Sequence, residues 1–302
     1  MLCPGKLKMT TTLPSKLSIY LALGVGVLAL GFSAIFIQWA DAPGVVSAFY
    51  RVSIAAVLMA LPFFNRVKSQ REPLPSRGVR LAILGGVFFG MDLLLWATGI
   101  TLGNATNPTL MANTAPLWVG LGAWLIFGER LSGMFWVGLA LAMTGAMIVL
   151  GQDLTTAVEV GLGTFLGLLA AIFYGAYYLV TQQGRASLDT LTYFWITSVS
   201  SSLLLLVIII ITRQPLTGYD PYTILSFLAS GVFVQVLGWL ALNFAQGYLP
   251  ASIVAPTLLL QPVLTALFAY WLLGETFTFW HILGGVIVLI GVYIIHRSRQ
   301  EN

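Results

Sequence analysis

The chain has 302 residues, of which 58% are hydrophobic and 8% are charged, and its formal net charge at neutral pH is +4. Soluble domains carry roughly 25% charged residues, so this composition excludes a soluble globular enzyme. It also excludes a disordered chain, because apolar and aromatic residues abound. The remaining class is an all-α protein that crosses a lipid bilayer many times.

Ten apolar runs are long enough to cross a bilayer, whose hydrocarbon core of about 30 Å takes about 20 helical residues. Each run is predicted as a helix, because the hydrocarbon offers no hydrogen-bond partner to an unpaired backbone group and a helix pairs these groups internally. The runs are also too long for the strands of a barrel. A tail of residues 1–17 precedes them. In chain order the predicted spans are 18–38, 43–64, 78–101, 104–127, 131–151, 160–183, 189–212, 221–245, 250–273 and 278–296.

The basic residues of the loops lie almost entirely on one side of the predicted membrane, and only Arg213 falls on the other. Since cytoplasmic loops carry the excess of Lys and Arg, both termini are predicted to be cytoplasmic and the membrane to be the inner (plasma) membrane. The position of these basic residues in the loops also explains the small positive net charge of the chain, so no nucleic acid partner is expected. The residues on the N-terminal side are Lys6, Lys8, Lys16, Arg66, Lys68, Arg71, Arg77, Arg80, Arg130, Arg185, Arg297 and Arg299.

The sequence repeats itself at an offset of 146 residues, which aligns residues 85–149 with 231–295. Equivalent positions are five spans apart. Because five is odd, the second copy enters the membrane from the opposite face, as in many secondary transporters. We therefore predict two inverted five-helix repeats, 18–151 and 160–296, around a pathway at mid-depth. The most telling pairs are Pro116/Pro262, Gly128/Gly274, Glu129/Glu275, Gly138/Gly284 and Gly145/Gly291.

The end of the fourth span in each copy resembles the drug/metabolite transporter superfamily, in its EamA-type ten-helix branch. The resemblance rests on a proline followed by Gly-Glu and covers nearly the whole chain. Within that branch the sequence looks most like the YddG-type exporters of aromatic amino acids and related metabolites. The resemblance implies a cavity lined by the first, third, fourth, sixth, eighth and ninth spans, alternately open to each side. The copies read NTAPLWVGLGAWLIFGERLSGMFWVGLALAMTGAMIVL (113–150) and LLQPVLTALFAYWLLGETFTFWHILGGVIVLIGVYII (259–295).

Two ionisable residues, Arg51 and Asp92, lie deep within predicted spans. A charge at the bilayer centre costs at least about 2.5–3.5 kcal/mol on insertion scales, so such side chains face the protein interior or water. In one interpretation Arg51 recognises a substrate carboxylate, and Asp92 relays a proton or meets an ammonium group. In the other, the two pair with each other or with backbone carbonyls and fix the second span to the third.

Glu129 and Glu275 sit at span ends on opposite faces, too far apart to share a proton. Each is predicted to cap the helix that follows, because unpaired N–H groups and the helix dipole favour an anion at a helix N-terminus.

Aromatic and amide side chains at mid-span complete the candidate site, although aromatics at this depth also fill helix-bundle cores. A proline removes a backbone donor, and kinked helices at matching places in two repeats indicate a binding site. The prediction therefore centres on Asn113–Trp118 and Pro256–Pro262. The predicted cavity residues are Arg51, Asp92, Trp96, Asn113, Trp118, Tyr174, Tyr178, Trp239, Asn243 and Gln261, with Pro116, Pro256 and Pro262 as kink or gating residues.

The sequence carries none of the short motifs HExxH, GxSxG or phosphate loop, so neither an enzyme activity nor a cofactor or metal is expected. The favoured function is a secondary transporter that exports small organic metabolites, amino acids including aromatic ones, by alternating access of the two halves. The alternative is a proton-coupled exporter of drugs or lipophilic cations that uses Asp92. A third class is an intramembrane enzyme or a receptor with a static pocket. Ten spans are enough for a complete monomer.

Overall fold

The computed structural model describes residues 14–70, 72–102, 106–151, 161–274 and 276–299, and these residues form helices and loops without strands. Most of the predicted tail, Arg71 and Glu275 lie outside the described residues. Within the described residues ten helices are long and apolar enough to cross a membrane, which confirms the predicted all-α fold. They are α1 (Lys16–Trp39), α2 (Gly44–Ser69), α3 (Ser76–Ile100), α4 (Asn107–Phe127), α5 (Gly133–Leu150), α6 (Leu162–Arg185), α7 (Thr190–Thr212), α8 (Pro221–Gln246), α9 (Ala251–Leu273) and α10 (Phe279–Ser298).

Helix ends depart most from the sequence prediction at α2, which continues five residues beyond the predicted end at residue 64. Its last turn carries Arg66 and Lys68. Cations at this end interact favourably with the helix dipole, so polar residues that read as a loop extend the helix instead.

Two helices break at positions that the repeat relates to each other. α4 has a turn at Asn113 and Thr114, and α9 has a 3₁₀ turn at Leu258–Leu260. Pro116 and Pro262 occupy the first turn of the helical piece that follows each break. Proline suits this place, because the first N–H groups of a helix have no intrahelical partner. The breaks lie at the same depth of the two inverted copies.

Two further irregularities have no counterpart in the described part of the other repeat. α1 is interrupted at Phe32, between Lys16–Gly31 and Ser33–Trp39. α8 contains a π-helix over Ser230–Trp239, a rare form that is frequently found at functional sites.

The two repeats are interleaved rather than separate. α6, from the second repeat, packs against α3 and α4 of the first, and α1 packs against α8 and α9 of the second. We call α3, α4 and α6 bundle A, and α1, α8 and α9 bundle B. α2 packs against α7, where the Phe63 and Trp195 rings stack at 3.9 Å, and α5 packs against α10.

The seam between α5 and α10 shows the inverted symmetry at the level of single residues. A Cβ atom on Gly145 would lie 2.6 Å from the carbonyl oxygen of Gly284, and one on Gly138 would lie 2.9 Å from that of Gly291. The repeat pairs Gly138 with Gly284 and Gly145 with Gly291. Each contact therefore maps onto the other, which is the signature of a two-fold axis between antiparallel helices.

Candidate functional site

A cavity of about 390 Å³ lies between bundle A and bundle B. All six helices of the two bundles contribute to its wall, and α2, α5 and α10 add a few residues. It extends to the ends of α1, α5, α9 and α10 at the face opposite the N-terminus. The wall residues at that end are Gln38, Leu150, Leu273 and His281.

Arg51 brings a positive charge into the wall and is only 6% exposed. Its Nη1 donates to the hydroxyl of Ser33 at 3.2 Å, and its guanidinium carbon lies 5.9 Å from the centre of the Phe89 ring. Its Nε is buried and has no hydrogen-bond partner within the described chain. A buried donor without a partner carries a desolvation cost, so this group has capacity for a further acceptor.

Asp92 places a negative charge in the same wall and is 7% exposed. Among the described residues, no nitrogen of Arg51 lies within 4.0 Å of its carboxylate, and no side chain or amide donates a hydrogen bond to it. Arg51 and Asp92 thus interact electrostatically without forming a salt bridge, and both interpretations of the two residues stay predictions. The two charges face one cavity with their binding capacity largely unused.

An aromatic wall, formed by Phe89, Tyr174, Tyr178 and Trp239, lines the inner part of the cavity. The Tyr178 hydroxyl donates to the Tyr174 hydroxyl at 3.0 Å, which fixes both rings. The Trp239 ring lies 4.7 Å from Phe89 and 6.0 Å from Tyr174, in edge-on arrangements that aromatic pairs favour.

Amide and hydroxyl side chains tie the helix breaks together around the cavity. Gln261 and Thr265 of α9 donate to the carbonyl oxygens of Leu30 and Gly31, at 3.2 and 2.8 Å, where α1 is interrupted. Asn113 donates to the carbonyl oxygen of Thr109, one turn earlier in α4, at 2.8 Å. The Thr109 hydroxyl accepts a hydrogen bond from the Trp96 indole at 3.1 Å. Trp96, Asn113, Gln261, Pro116 and Pro262 all line the cavity.

Three of the predicted site residues do not line the cavity. Trp118 packs on Gly175 between α4 and α6. Asn243 is fully buried behind the aromatic wall, where it donates to the Trp239 carbonyl at 2.8 Å and to the Tyr177 hydroxyl at 3.3 Å. Pro256 is buried in the helical turn before the α9 break. The side chains of these three residues point into the packed helices and not into the cavity. They therefore support the cavity wall from behind.

Several wall residues were missed by the sequence prediction. Phe89 lies three residues before Asp92 and seven before Trp96, so helical spacing could have placed it on the same face. Thr109 lies four residues before Asn113, and Thr265 lies four residues after Gln261. The same helical spacing could therefore have placed both threonines beside the predicted amide side chains. No such signal identifies Ser33, Gln38 and His281, because only the tertiary packing brings them to the wall.

A polar network around Glu129 lies at the N-terminal face, below the cavity. The Glu129 carboxylate pairs with the Arg299 guanidinium and accepts hydrogen bonds from Gln182, at 3.2 Å, and Ser252, at 2.8 Å. Glu129 follows α4, whereas Ser252 begins α9, so the network joins bundle A to bundle B. Ala255, which lines the cavity, lies three residues after Ser252, about 5 Å further along α9.

The predicted capping role of Glu129 is wrong. Ser132 caps α5 instead, since its hydroxyl accepts a hydrogen bond from the amide of Phe135 at 3.3 Å. The Glu129 side chain turns away from that helix because three donors of the second repeat surround it. Glu275, its repeat partner, lies outside the described residues.

Comparison with known proteins agrees with this architecture. The sequence matches the EamA-like transporter family twice, over residues 17–151 and 161–297. The chain belongs to the EamA-like transporter family. This family is part of the drug/metabolite transporter superfamily and has a two-repeat topology. The predicted family and the predicted fold class are therefore confirmed.

Relatives of this EamA-like chain are named as transporters. An uncharacterized transporter from Archaeoglobus fulgidus is 25% identical over 95% of this chain and 99% of its own length. A riboflavin transporter from Rhizobium johnstonii is 26% identical over 86% of this chain and 83% of its own. A probable amino-acid metabolite efflux pump from Salmonella typhimurium is 31% identical over 58% of this chain and 62% of its own. These names point to a transporter and away from an enzyme.

A solved crystal structure shares the fold of this EamA-like chain. It superimposes with a TM-score of 0.79 and covers 93% of this chain and 98% of its own, at 16% sequence identity. At this identity the likeness concerns the fold alone. The finer resemblance to the YddG-type exporters stays a prediction.

Proposed function

We propose that this EamA-like transporter exports small organic metabolites, in particular amino acids including aromatic ones. The observation that carries the proposal is the cavity between the two bundles, with its aromatic wall and two buried charges that form no salt bridge within the described chain. A volume of about 390 Å³ suits one metabolite-sized molecule, since ligand pockets span roughly 300–1,000 Å³. The similarity to an amino-acid metabolite efflux pump supports the same class of substrate.

Alternating access is the proposed mechanism. The cavity extends to one face, and the Glu129 network closes the other. An inverted-repeat transporter exchanges these two arrangements by moving its repeats around a fixed site. The interleaving of the repeats favours a movement of bundle A against bundle B, rather than of one five-helix half against the other.

The proposed location is the inner (plasma) membrane, with both termini cytoplasmic, on the basis of the Lys and Arg distribution. In that orientation the conformation described here is closed towards the cytoplasm. The protein works as a monomer with lipid around it and a small molecule as its ligand. Export down a concentration gradient requires no coupling ion.

Flux measurements in proteoliposomes test the proposed function. The purified protein is reconstituted, and uptake of labelled phenylalanine, tryptophan, leucine and alanine is compared with that of protein-free liposomes. We expect saturable flux of at least one aromatic amino acid. The substrate proposal is abandoned if none of the four amino acids crosses faster than in protein-free liposomes.

A second candidate function is proton-coupled export of lipophilic cations through Asp92. It is favoured by the buried position of this carboxylate and its lack of a hydrogen bond or ion pair in the described chain. Under an imposed pH gradient, Asp92→Asn then abolishes cation accumulation. Unchanged accumulation by this variant rejects the second candidate.

A further inference from the structure

We propose that Arg51 and Asp92 together form a two-point site that selects zwitterionic ligands over cations and anions of the same skeleton. In this site the carboxylate of an α-amino acid binds Arg51, its ammonium group binds Asp92, and its side chain lies on the aromatic wall. The inference rests on the proposed function and adds to it the chemical groups that the cavity recognises.

The carboxylate end of the site is built by Arg51, Ser33 and Phe89. The hydrogen bond to Ser33 and the ring of Phe89 fix the guanidinium in the cavity wall. Its Nε lacks an acceptor within the described chain. A guanidinium presents a planar fork of donors that matches a carboxylate with two parallel hydrogen bonds. A ligand carboxylate supplies the missing acceptor.

The ligand's ammonium group binds at the Asp92 carboxylate. When this carboxylate is ionised, it can accept hydrogen bonds but cannot donate them. A buried charge is costly unless it is paired and hydrogen-bonded, and among the described residues Asp92 interacts with the charge of Arg51 only at a distance, without a salt bridge or a hydrogen bond. Direct pairing with Arg51 would remove the cost, yet the two groups stay more than 4.0 Å apart. An ammonium group on the carbon that carries the ligand carboxylate completes both ends at once.

The position of Tyr174 indicates where the side chain of the bound ligand lies. This residue lines the same cavity as Arg51 and Asp92 and belongs to the aromatic wall. A ligand whose charged groups meet Arg51 and Asp92 therefore has its side chain beside the rings of Tyr174 and Trp239. Flat rings make favourable edge-on or offset contacts with such a surface.

The charges of the site explain why a singly charged ligand should bind less tightly. A cation leaves Arg51 without its acceptor, and an anion leaves Asp92 without its donor. A site built to hydrogen-bond a ligand group discriminates strongly against an analogue that lacks the group, because the protein partner stays buried and unpaired.

Equilibrium binding to the purified full-length protein in detergent tests this inference with three probes of one skeleton. They are L-phenylalanine, which is zwitterionic, phenethylamine, which lacks the carboxylate, and 3-phenylpropionate, which lacks the ammonium group. The wild-type protein is expected to bind phenylalanine at least tenfold more tightly than either analogue. Equal affinity for phenylalanine and one of the analogues, or no binding of any probe, overturns the inference.

Two variants give reciprocal expectations. Arg51→Gln weakens phenylalanine and 3-phenylpropionate about tenfold or more but leaves phenethylamine unchanged, whereas Asp92→Asn weakens phenylalanine and phenethylamine but leaves 3-phenylpropionate unchanged. The probe that each variant still binds shows that the variant is folded. Ser53→Ala, which removes a hydroxyl bonded to Ser202 in the α2–α7 seam, is the control and should bind all three as the wild type does. Equal weakening of all three probes by Arg51→Gln or by Asp92→Asn contradicts the two-point site.

The result also separates this inference from the proposed function. Reciprocal binding without flux in proteoliposomes supports the two-point site and rejects transport. Flux of phenylalanine without discrimination between the three probes supports transport and rejects the two-point site.

Discussion

Arg185 illustrates how much one side chain does at the N-terminal face of the protein. Its Nε donates to the carbonyl oxygen of Asn243 at 2.8 Å, and its two terminal nitrogens donate to the hydroxyl of Thr190, at 2.7 Å, and to the carbonyl of Leu188. The residue thus ties the end of α6 to α8 and to the start of α7. From sequence it counted only as one more basic residue that sets the orientation.

Replacement of Arg185 by lysine keeps the charge but removes the planar fork of donors. We expect Arg185→Lys to lower the stability by about 2 kcal/mol, the size of one lost hydrogen bond to a charged group. The measurement is the Tm of the protein in detergent. Arg80→Lys is the control, because Arg80 is exposed and makes one long bond, of 3.4 Å, within its own helix. Equal Tm values for the two variants contradict this role of Arg185.

Single residues of the cavity were predictable where a helix spacing or a rare residue type marks them. Arg51 and Asp92 stand out because charges inside spans are rare. Glu129 stands out as well, yet its partners Gln182, Ser252 and Arg299 lie far away in sequence. A contact of this kind depends on how the helices assemble, so local sequence suggested a helix cap instead.

At the level of helices, the glycine seam of α5 and α10 sets how closely the two repeats approach. Without a hydrophobic driving force in lipid, helices associate through close packing of small residues. At Gly145 the carbonyl oxygen of Gly284 and the amide of Val288 occupy the place of a side chain, each 2.6 Å from a Cβ. Backbone at such a distance must move to admit even a methyl group.

Gly145→Ala should therefore destabilise the protein by about 1–3 kcal/mol, the usual cost of overpacking. Gly24→Ala is the matched control, since no atom of the described residues lies within 4 Å of a Cβ at Gly24, and alanine favours the helix more than glycine does. Thermal unfolding in detergent should show a lower Tm for Gly145→Ala alone. A Tm for Gly145→Ala at or above that of Gly24→Ala would show that the seam is not tight.

Helix breaks were predictable only where proline marks them. The matching prolines of α4 and α9 indicated kinks in both copies, and both helices break two to four residues before these prolines. The break in α1 and the π-helix of α8 carry no proline. They depend on partners from other helices, such as Gln261 and Thr265 at the α1 break, which a local pattern does not contain.

At the scale of the whole molecule, the repeat predicted the inverted symmetry but not the grouping of helices into bundles. Every span is apolar on most of its surface, so hydropathy does not reveal which helix packs against which. The structure exchanges α1 and α6 between the repeats, and the cavity lies between the resulting bundles. Only the resemblance to known transporters anticipated which spans line it.

The Glu129 network should hold the N-terminal face closed. Loss of its charge in Glu129→Gln removes the ion pair with Arg299, and we expect the fraction of protein open at that face to rise about tenfold, in line with about 1.5 kcal/mol for a hydrogen bond to a charged group. A cysteine at Ala255, in protein whose Cys3 is serine, reports this opening through its reaction with an impermeant maleimide applied at the N-terminal face. The exposed Glu72→Gln at the same face is the control. An unchanged reaction rate in Glu129→Gln contradicts the closing role.

Distances across the two faces test most directly whether bundle A moves against bundle B around the cavity. Spin labels are placed on Leu17 and Arg77 at the N-terminal face and, in a second sample, on Leu102 and Tyr222 at the opposite face, all of which are exposed. Pulsed electron paramagnetic resonance then gives both distances with and without phenylalanine. The account predicts that phenylalanine lengthens the first distance and shortens the second. Two distances that stay fixed, or that change in the same direction, while phenylalanine is transported would contradict it.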